Sequence, residues 1–178
     1  LLVVGAGTVA TSLVKAYTAV MPGIKRVSVW SRRPEQAQSL IDGMPGISAE
    51  LVAVADLRDA VGQADIVTSA TMARQPVILG DWVRPGTHVD LIGAFKADMR
   101  EADDALIAGA TLFVDSRATT LGHTGELMMP IASGAITPDS VLGDLYDLVR
   151  PDARRRLSDD EITLYKNGGG AHLDLMIA

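Results

Sequence analysis

Gly5-Ala6-Gly7-Thr8-Val9-Ala10 is a G-x-G-x-x-A hexapeptide set between an apolar run, residues 1–4, and a stretch of helical periodicity. In that setting each small residue has a mechanical task. Gly5 permits the tight turn out of a strand, Gly7 lets a pyrophosphate approach the backbone, and Ala10 lets the helix pack close to the strand. The phosphates then meet the unpaired amides and positive dipole end of the helix. The hexapeptide reads as a dinucleotide-binding turn.

The second position with chemistry is the end of the next strand. Domains that bind NAD carry Asp or Glu there for the ribose 2′-hydroxyl; this chain has Ser31-Arg32-Arg33. A carboxylate would repel a 2′-phosphate, whereas a guanidinium grips it in a bidentate fork and Ser31 adds a hydroxyl donor. The expected cofactor is NADP(H), with NAD(H) second. The histidines show no metal-ligand spacing and there is no cysteine, so no metal site is expected. His88 precedes a buried strand and reads as structural. His123, in a loop, and His172, after three glycines, are substrate-side candidates. Asp103-Asp104 and Asp159-Asp160 read as solvated helix charges, and Lys166 as an exposed helical lysine.

These residues need a scaffold. Strand and helix patterns alternate along the chain, which predicts an α/β fold: a Rossmann-type doubly wound parallel sheet with flanking helices. Apolar residues Val9, Leu13, Val14, Tyr17 and Met21 mark one buried helix face over 8–20. Further strands are expected at 27–30, 50–54, 65–70, 87–92 and 111–115, with helices over 34–41 and 56–63. Thr137-Pro138-Asp139 has the form of a helix start. Ser158 and Glu161 fit a capping box, so a helix is expected from Asp159, interrupted by Gly168-Gly169-Gly170. The stretch 127–131, Leu-Met-Met-Pro-Ile, reads as core.

Composition sets the limits. Of 178 residues, 48% are hydrophobic and 21% charged, the balance of a globular domain rather than a disordered chain. The net charge of −6 argues against a non-specific nucleic-acid partner. No apolar run reaches the roughly 18 residues of a membrane span, and the cytoplasm is the default compartment. The chain opens inside an apolar run without Met and stops inside a helical pattern. It is therefore expected to be a fragment of a longer, two-domain protein.

Several segments, in this order, resemble the ornithine cyclodeaminase/mu-crystallin family: Gly5–Ala10; Ser69-Ala70-Thr71 with Pro76; Asp90-Leu91-Ile92-Gly93-Ala94-Phe95 with Met99-Arg100-Glu101; Gly125-Glu126-Leu127 with Pro130 and Gly134; and residues 160–166. The resemblance implies a homodimer assembled through an N-terminal substrate and dimerisation domain that precedes this chain. Residues 1–150 would form the NAD(P)-binding domain, and 151–178 a linker and helix returning toward that first domain. Thr8 and Val9 would lie over the pyrophosphate, and Ser31, Arg32 and Arg33 would grip the 2′-phosphate. Thr71 would line the cleft, while Leu91, Ile92 and Gly93 would pass beside the nicotinamide. Asn167 and Gly168 would belong to a late loop near nicotinamide and substrate. A Lys and an Arg that hold the substrate carboxylate would lie in the N-terminal domain, leaving no catalytic residue assigned on this chain.

One departure matters. Cyclodeaminases of the family place an Asp after the Gly-Ala pair, where this chain has Phe95. A phenyl ring neither pairs with an ammonium nor relays a proton. The Gly-Ala-Phe sequence with Met-Arg-Glu is more similar to reductases of cyclic imino acids such as Δ1-pyrroline-2-carboxylate and Δ1-piperideine-2-carboxylate. Phe95 is thus a further substrate-side candidate. The resemblance implies an NADPH-dependent reductase of small cyclic imino acids; the alternatives are an ornithine cyclodeaminase, an amino-acid dehydrogenase, or a non-catalytic NADPH-binding protein.

Overall fold

The computed structural model describes residues 1–169. The chain begins with β1 (Leu2–Val4), α1 (Thr8–Val20), β2 (Arg26–Trp30), α2 (Pro34–Asp42), β3 (Glu50–Ala53), α3 (Leu57–Gln63) and β4 (Ile66–Ser69). It continues with β5 (His88–Leu91), α4 (Asp104–Gly109), β6 (Thr111–Val114), α5 (Arg117–Thr120), α6 (Gly125–Ser133), β7 (Val141–Gly143), α7 (Leu145–Leu148) and β8 (Thr163–Lys166). The strands form one parallel sheet in the order β3-β2-β1-β4-β5-β8-β6-β7.

A parallel sheet covered on both faces needs strands that are apolar on both sides, which is why β1 reads as an unbroken Leu-Val-Val. Its side chains alternate. Leu2 and Val4 enter a core shared with Val67, Leu91, Leu112 and Leu164, while Val3 enters a second core with Ala10, Val14, Val27 and Val29. Asp56 caps α3 by accepting the Asp59 amide at 3.0 Å, and Pro34 opens α2 at its first turn. Among the described residues no helix is long and apolar enough to cross a membrane.

Two sequence expectations are corrected. Thr137-Pro138-Asp139 starts only one 3-10 turn, residues 138–140, before β7. The helix expected from Asp159 is replaced by β8, which lies inside the sheet between β5 and β6. That gap offers backbone ladders on both sides to a Thr-Leu-Tyr-Lys segment in which Thr163 and Tyr165 favour strand, and these outweigh the local capping signal. Glu161 is not a helix cap; it takes hydrogen bonds from Thr111, the Leu157 amide and Arg154 instead. The sheet therefore draws its sixth-position strand from beyond residue 150, so the expected linker and returning helix over 151–178 do not describe Thr163–Lys166. Residues 170–178, which include His172, lie outside the described residues.

Candidate functional site

From β1 the chain crosses to β2 on one side, and from β3 it returns to β4 on the other. The connections that leave the carboxyl ends of β1 and β4 therefore run in opposite directions along the sheet, and crevices at such a switch point are where open α/β sheets bind ligands. Gly5 has φ +119°, and a Cβ on it would stand 2.7 Å from the Ala70 carbonyl oxygen, so no other residue makes this turn. A Cβ on Gly7 would meet only open space. Gly7 caps α1 without a side-chain bond, and the first intrahelical amide is that of Thr11, donating to the Gly7 carbonyl at 3.1 Å. The amides of Thr8, Val9 and Ala10 are left for a ligand. Thr8 and Val9 are exposed, whereas Ala10 is buried against the Val3 core. The arrangement fits a pyrophosphate: an open approach at Gly7 above three unpaired amides and a helix dipole with no acidic side chain in its first turn.

A cavity of about 290 Å³ opens beside this turn, walled by Gly7, Thr8 and Val9 on one side and by Thr71, Ile92, Gly93 and Phe95 on the other. A larger hollow of about 970 Å³ lies at the opposite, amino ends of the strands, around Leu1, Arg26 and Ile66. It contains none of the predicted site residues, and the smaller cavity is the one at the switch point. At the end of β2, Ser31 is nearly buried and accepts the Arg33 amide at 3.4 Å. Arg32 and Arg33 are exposed, and neither makes an ion pair among the described residues. Residues 31–33 themselves include no carboxylate.

The wall formed by β4 and β5 is built on groups the sequence did not single out as functional. Glu101 is wholly buried. Its Oε1 accepts from the Ser69 hydroxyl, the Thr71 amide and the Thr71 hydroxyl, each at 2.7 Å. Its Oε2 accepts from the amides of Gly93 at 2.7 Å and Ala94 at 3.3 Å. Glu126, also wholly buried, accepts the amides of Glu101 and Ala102 at 2.8 Å each. Burial pushes the Glu126 carboxyl up to about 7. For Glu126 the sequence offers a signal, an acidic residue opening the apolar run 127–131, where a carboxylate needs buried donors; Glu101, set among charged residues, offers none beyond its place in Met-Arg-Glu.

Lys166 is corrected from an exposed helical residue to a wholly buried one at the end of β8. Its Nζ donates to the Leu91 carbonyl at 3.0 Å. Burial pulls the ammonium pKa down, while Glu126, Glu101, Asp115 and Asp90 oppose that shift. Leu91 itself is core: its side chain is wholly buried and it contributes a carbonyl, shared with the Asn167 amide at 3.0 Å, not a cleft surface. Ile92 and Gly93 do line the cavity. Asn167 and Gly168 follow β8, and a Cβ on Gly168 would press on the Thr119 carbonyl and Thr120 hydroxyl at 3.1 Å.

Phe95 is half-exposed at the cavity rim, with Lys96 Nζ 5.5 Å from its ring centroid. His123 is exposed on the turn after α5 and is not part of the cavity wall. His88 is structural: its Nδ1 is 2.8 Å from the Thr163 hydroxyl at the amino end of β5, and burial lowers its pKa. Asp103 is corrected from a solvated charge to the cap of α4, accepting the Leu106 and Gly80 amides at 2.9 Å each.

All 178 residues match the model of the ornithine cyclodeaminase/mu-crystallin family. The chain is 82% identical over its whole length to a Delta(1)-pyrroline-2-carboxylate reductase of Paracoccus denitrificans, of which it covers 56%. Among solved structures it resembles the Delta(1)-pyrroline-2-carboxylate reductase of Thermococcus litoralis in complex with NADH and L-proline. There the TM-score is 0.90 and the identity 31%, over 94% of this chain and 52% of that one. It also resembles the iminosuccinate reductase of Paracoccus denitrificans in complex with NAD+, with TM-score 0.89 and 29% identity over 99% of this chain and 53% of that one. The chain spans about half the length of the curated relatives it matches. Fingerprint, sheet order and whole-length match agree: the chain belongs to the ornithine cyclodeaminase/mu-crystallin family.

Proposed function

We propose that this chain is the nucleotide-binding part of an NADPH-dependent cytoplasmic reductase of small cyclic imino acids, converting Δ1-pyrroline-2-carboxylate to L-proline. The observation that carries the reading is the 82% identity to the Paracoccus reductase. On this reading, the amides of Thr8–Ala10 hold the pyrophosphate, and Ser31, Arg32 and Arg33 hold the 2′-phosphate. Thr71, Ile92 and Gly93 flank the nicotinamide, with Asn167 and Gly168 at the far side. The reduced nicotinamide supplies a hydride for the C=N carbon next to the substrate carboxylate. The chain's own part is to orient that ring and exclude water around it. Phe95 gives the substrate an apolar neighbour where ornithine would need a carboxylate. The substrate carboxylate and the proton on nitrogen belong to a Lys and an Arg of an N-terminal domain, through which the protein forms a homodimer.

The solved relatives carry NADH or NAD+; the preference for NADP(H) rests on this chain's Arg32 and Arg33 and on the lack of a carboxylate among residues 31–33. The full-length protein tests the reaction: with NADPH and Δ1-pyrroline-2-carboxylate it should oxidise the cofactor and form L-proline. Formation of proline and ammonia from ornithine would replace the reductase reading with a cyclodeaminase.

A further inference from the structure

We propose that Glu101 is a positioning residue of this site, setting the spacing between the β4 and β5 walls that flank the nicotinamide; this rests on the functional reading above. Backbone pairing between β4 and β5 ends with the Ile92 amide donating to the Ser69 carbonyl at 2.8 Å. Past that point the two chains leave the sheet, and the Glu101 carboxylate takes over from the ladder. Each oxygen serves one wall: Oε1 the Ser69–Thr71 side, Oε2 the Gly93–Ala94 side.

The walls are drawn together so closely that a Cβ on Gly93 would lie 2.1 Å from the Thr71 carbonyl oxygen and 2.6 Å from Glu101 Oε1. Glu126 fixes Glu101 in turn, by accepting its amide from below. The carboxylate reaches neither the Gly5–Ala10 turn nor Ser31–Arg33. Its influence falls on the cavity wall formed by Thr71 and Gly93.

A carboxylate accepts on both oxygens; a carboxamide accepts on one and donates from the other. Glu101→Gln keeps the side-chain shape, satisfies one wall, and sets N–H against N–H at the other. The test uses the full-length protein and two ligands, NADPH and 2′-phospho-ADP-ribose, which lacks only the nicotinamide. In Glu101→Gln the NADPH dissociation constant should rise about tenfold or more, the effect of one lost bond to a charged acceptor, while that of the fragment stays within about twofold. Ser69→Ala keeps the carboxylate and removes one of three donors to Oε1. It should show the same selectivity in smaller measure, about two- to tenfold.

Amide exchange at Thr71 and Gly93 in the ligand-free Glu101→Gln protein should accelerate. A merely structural role would weaken both ligands alike or reduce only the number of competent sites. Equal loss for both ligands in either variant, or unchanged exchange at both amides, overturns the proposal. So does a wild type that binds the two ligands equally, since nothing would then be positioned. NADH with ADP-ribose serves the same purpose, so cofactor preference does not enter. Binding needs no turnover, so a wild type inactive on cyclic imines would remove the proposed reaction and still leave Glu101 tested.

Discussion

Replacing Lys166 by Met keeps an unbranched side chain, one atom shorter, and removes a wholly buried charge. The ammonium bonds the Leu91 carbonyl at 3.0 Å, and its field favours the charged form of Glu126. Without it the Leu91 carbonyl keeps only the Asn167 amide, and Glu126 and Glu101 lose a compensating cation. Breaking a buried charge pair on one side costs about 3–5 kcal/mol. Glu126 can relieve part of this by taking a proton. Its pKa, about 7 in the wild type, should rise in Lys166→Met, because the charge that lowered it is gone. The folded variant then holds a proton that the unfolded chain has released, so its stability falls more steeply with pH. The penalty is therefore larger at pH 8 than at pH 6. Thermal unfolding of the full-length protein at the two pH values measures it, and a drop on the order of 10 °C is expected at pH 8. A drop smaller than about 3 °C at pH 8, or a penalty that shrinks as pH rises, would refute the argument.

Further outcomes follow from the same contacts. Gly93→Ala must open the Thr71 wall by about an ångström or more to reach ordinary contact distance, and should destabilise by about 1–3 kcal/mol. NADPH binding that matches the wild type would contradict the close approach. The wild type should carry a stability component that falls by up to about 3 kcal/mol as pH rises from 4.5 to about 7, since folded Glu126 holds its proton over that range and the unfolded chain does not. Glu126→Gln should flatten this slope in denaturation at several pH values; an unaltered slope would assign it elsewhere. Asp104, Asp147 and Glu161 act with the opposite sign: their partners hold their pKa values low, so their contribution is lost as pH falls below that window. Arg32→Ala should weaken NADPH about 10- to 100-fold and leave NADH unchanged in titration; loss of both alike would place Arg32 in a structural role.

Local signals carried the first half of the chain. Gly5, Gly7 and Ala10 announce the turn because sterics leave few alternatives there, and β1, α1 and β2 follow from periodicity. The second half depends on what is distant in sequence. Residues 163–166 follow a capping signal at Ser158 and Glu161, yet become a strand because β5 and β6 leave a gap, which no local pattern encodes. The burial of Lys166 is hidden for the same reason, since a buried lysine is identified only by the carboxylates that surround it in space. Glu101 and Glu126 are visible as motif letters, but their roles are set by amides up to 30 positions away. The place of Arg32 and Arg33 just after β2 is legible because periodicity marks that strand; the role proposed for them rests on that place.

The most direct test of the central claim is the ratio of kcat/KM with NADPH to that with NADH. It is measured on the full-length protein with Δ1-pyrroline-2-carboxylate at fixed salt. One charge-assisted contact from Arg32 to the 2′-phosphate predicts steady oxidation of NADPH and a ratio of about 10 to 100. A ratio near one, or oxidation of neither cofactor, would contradict the account.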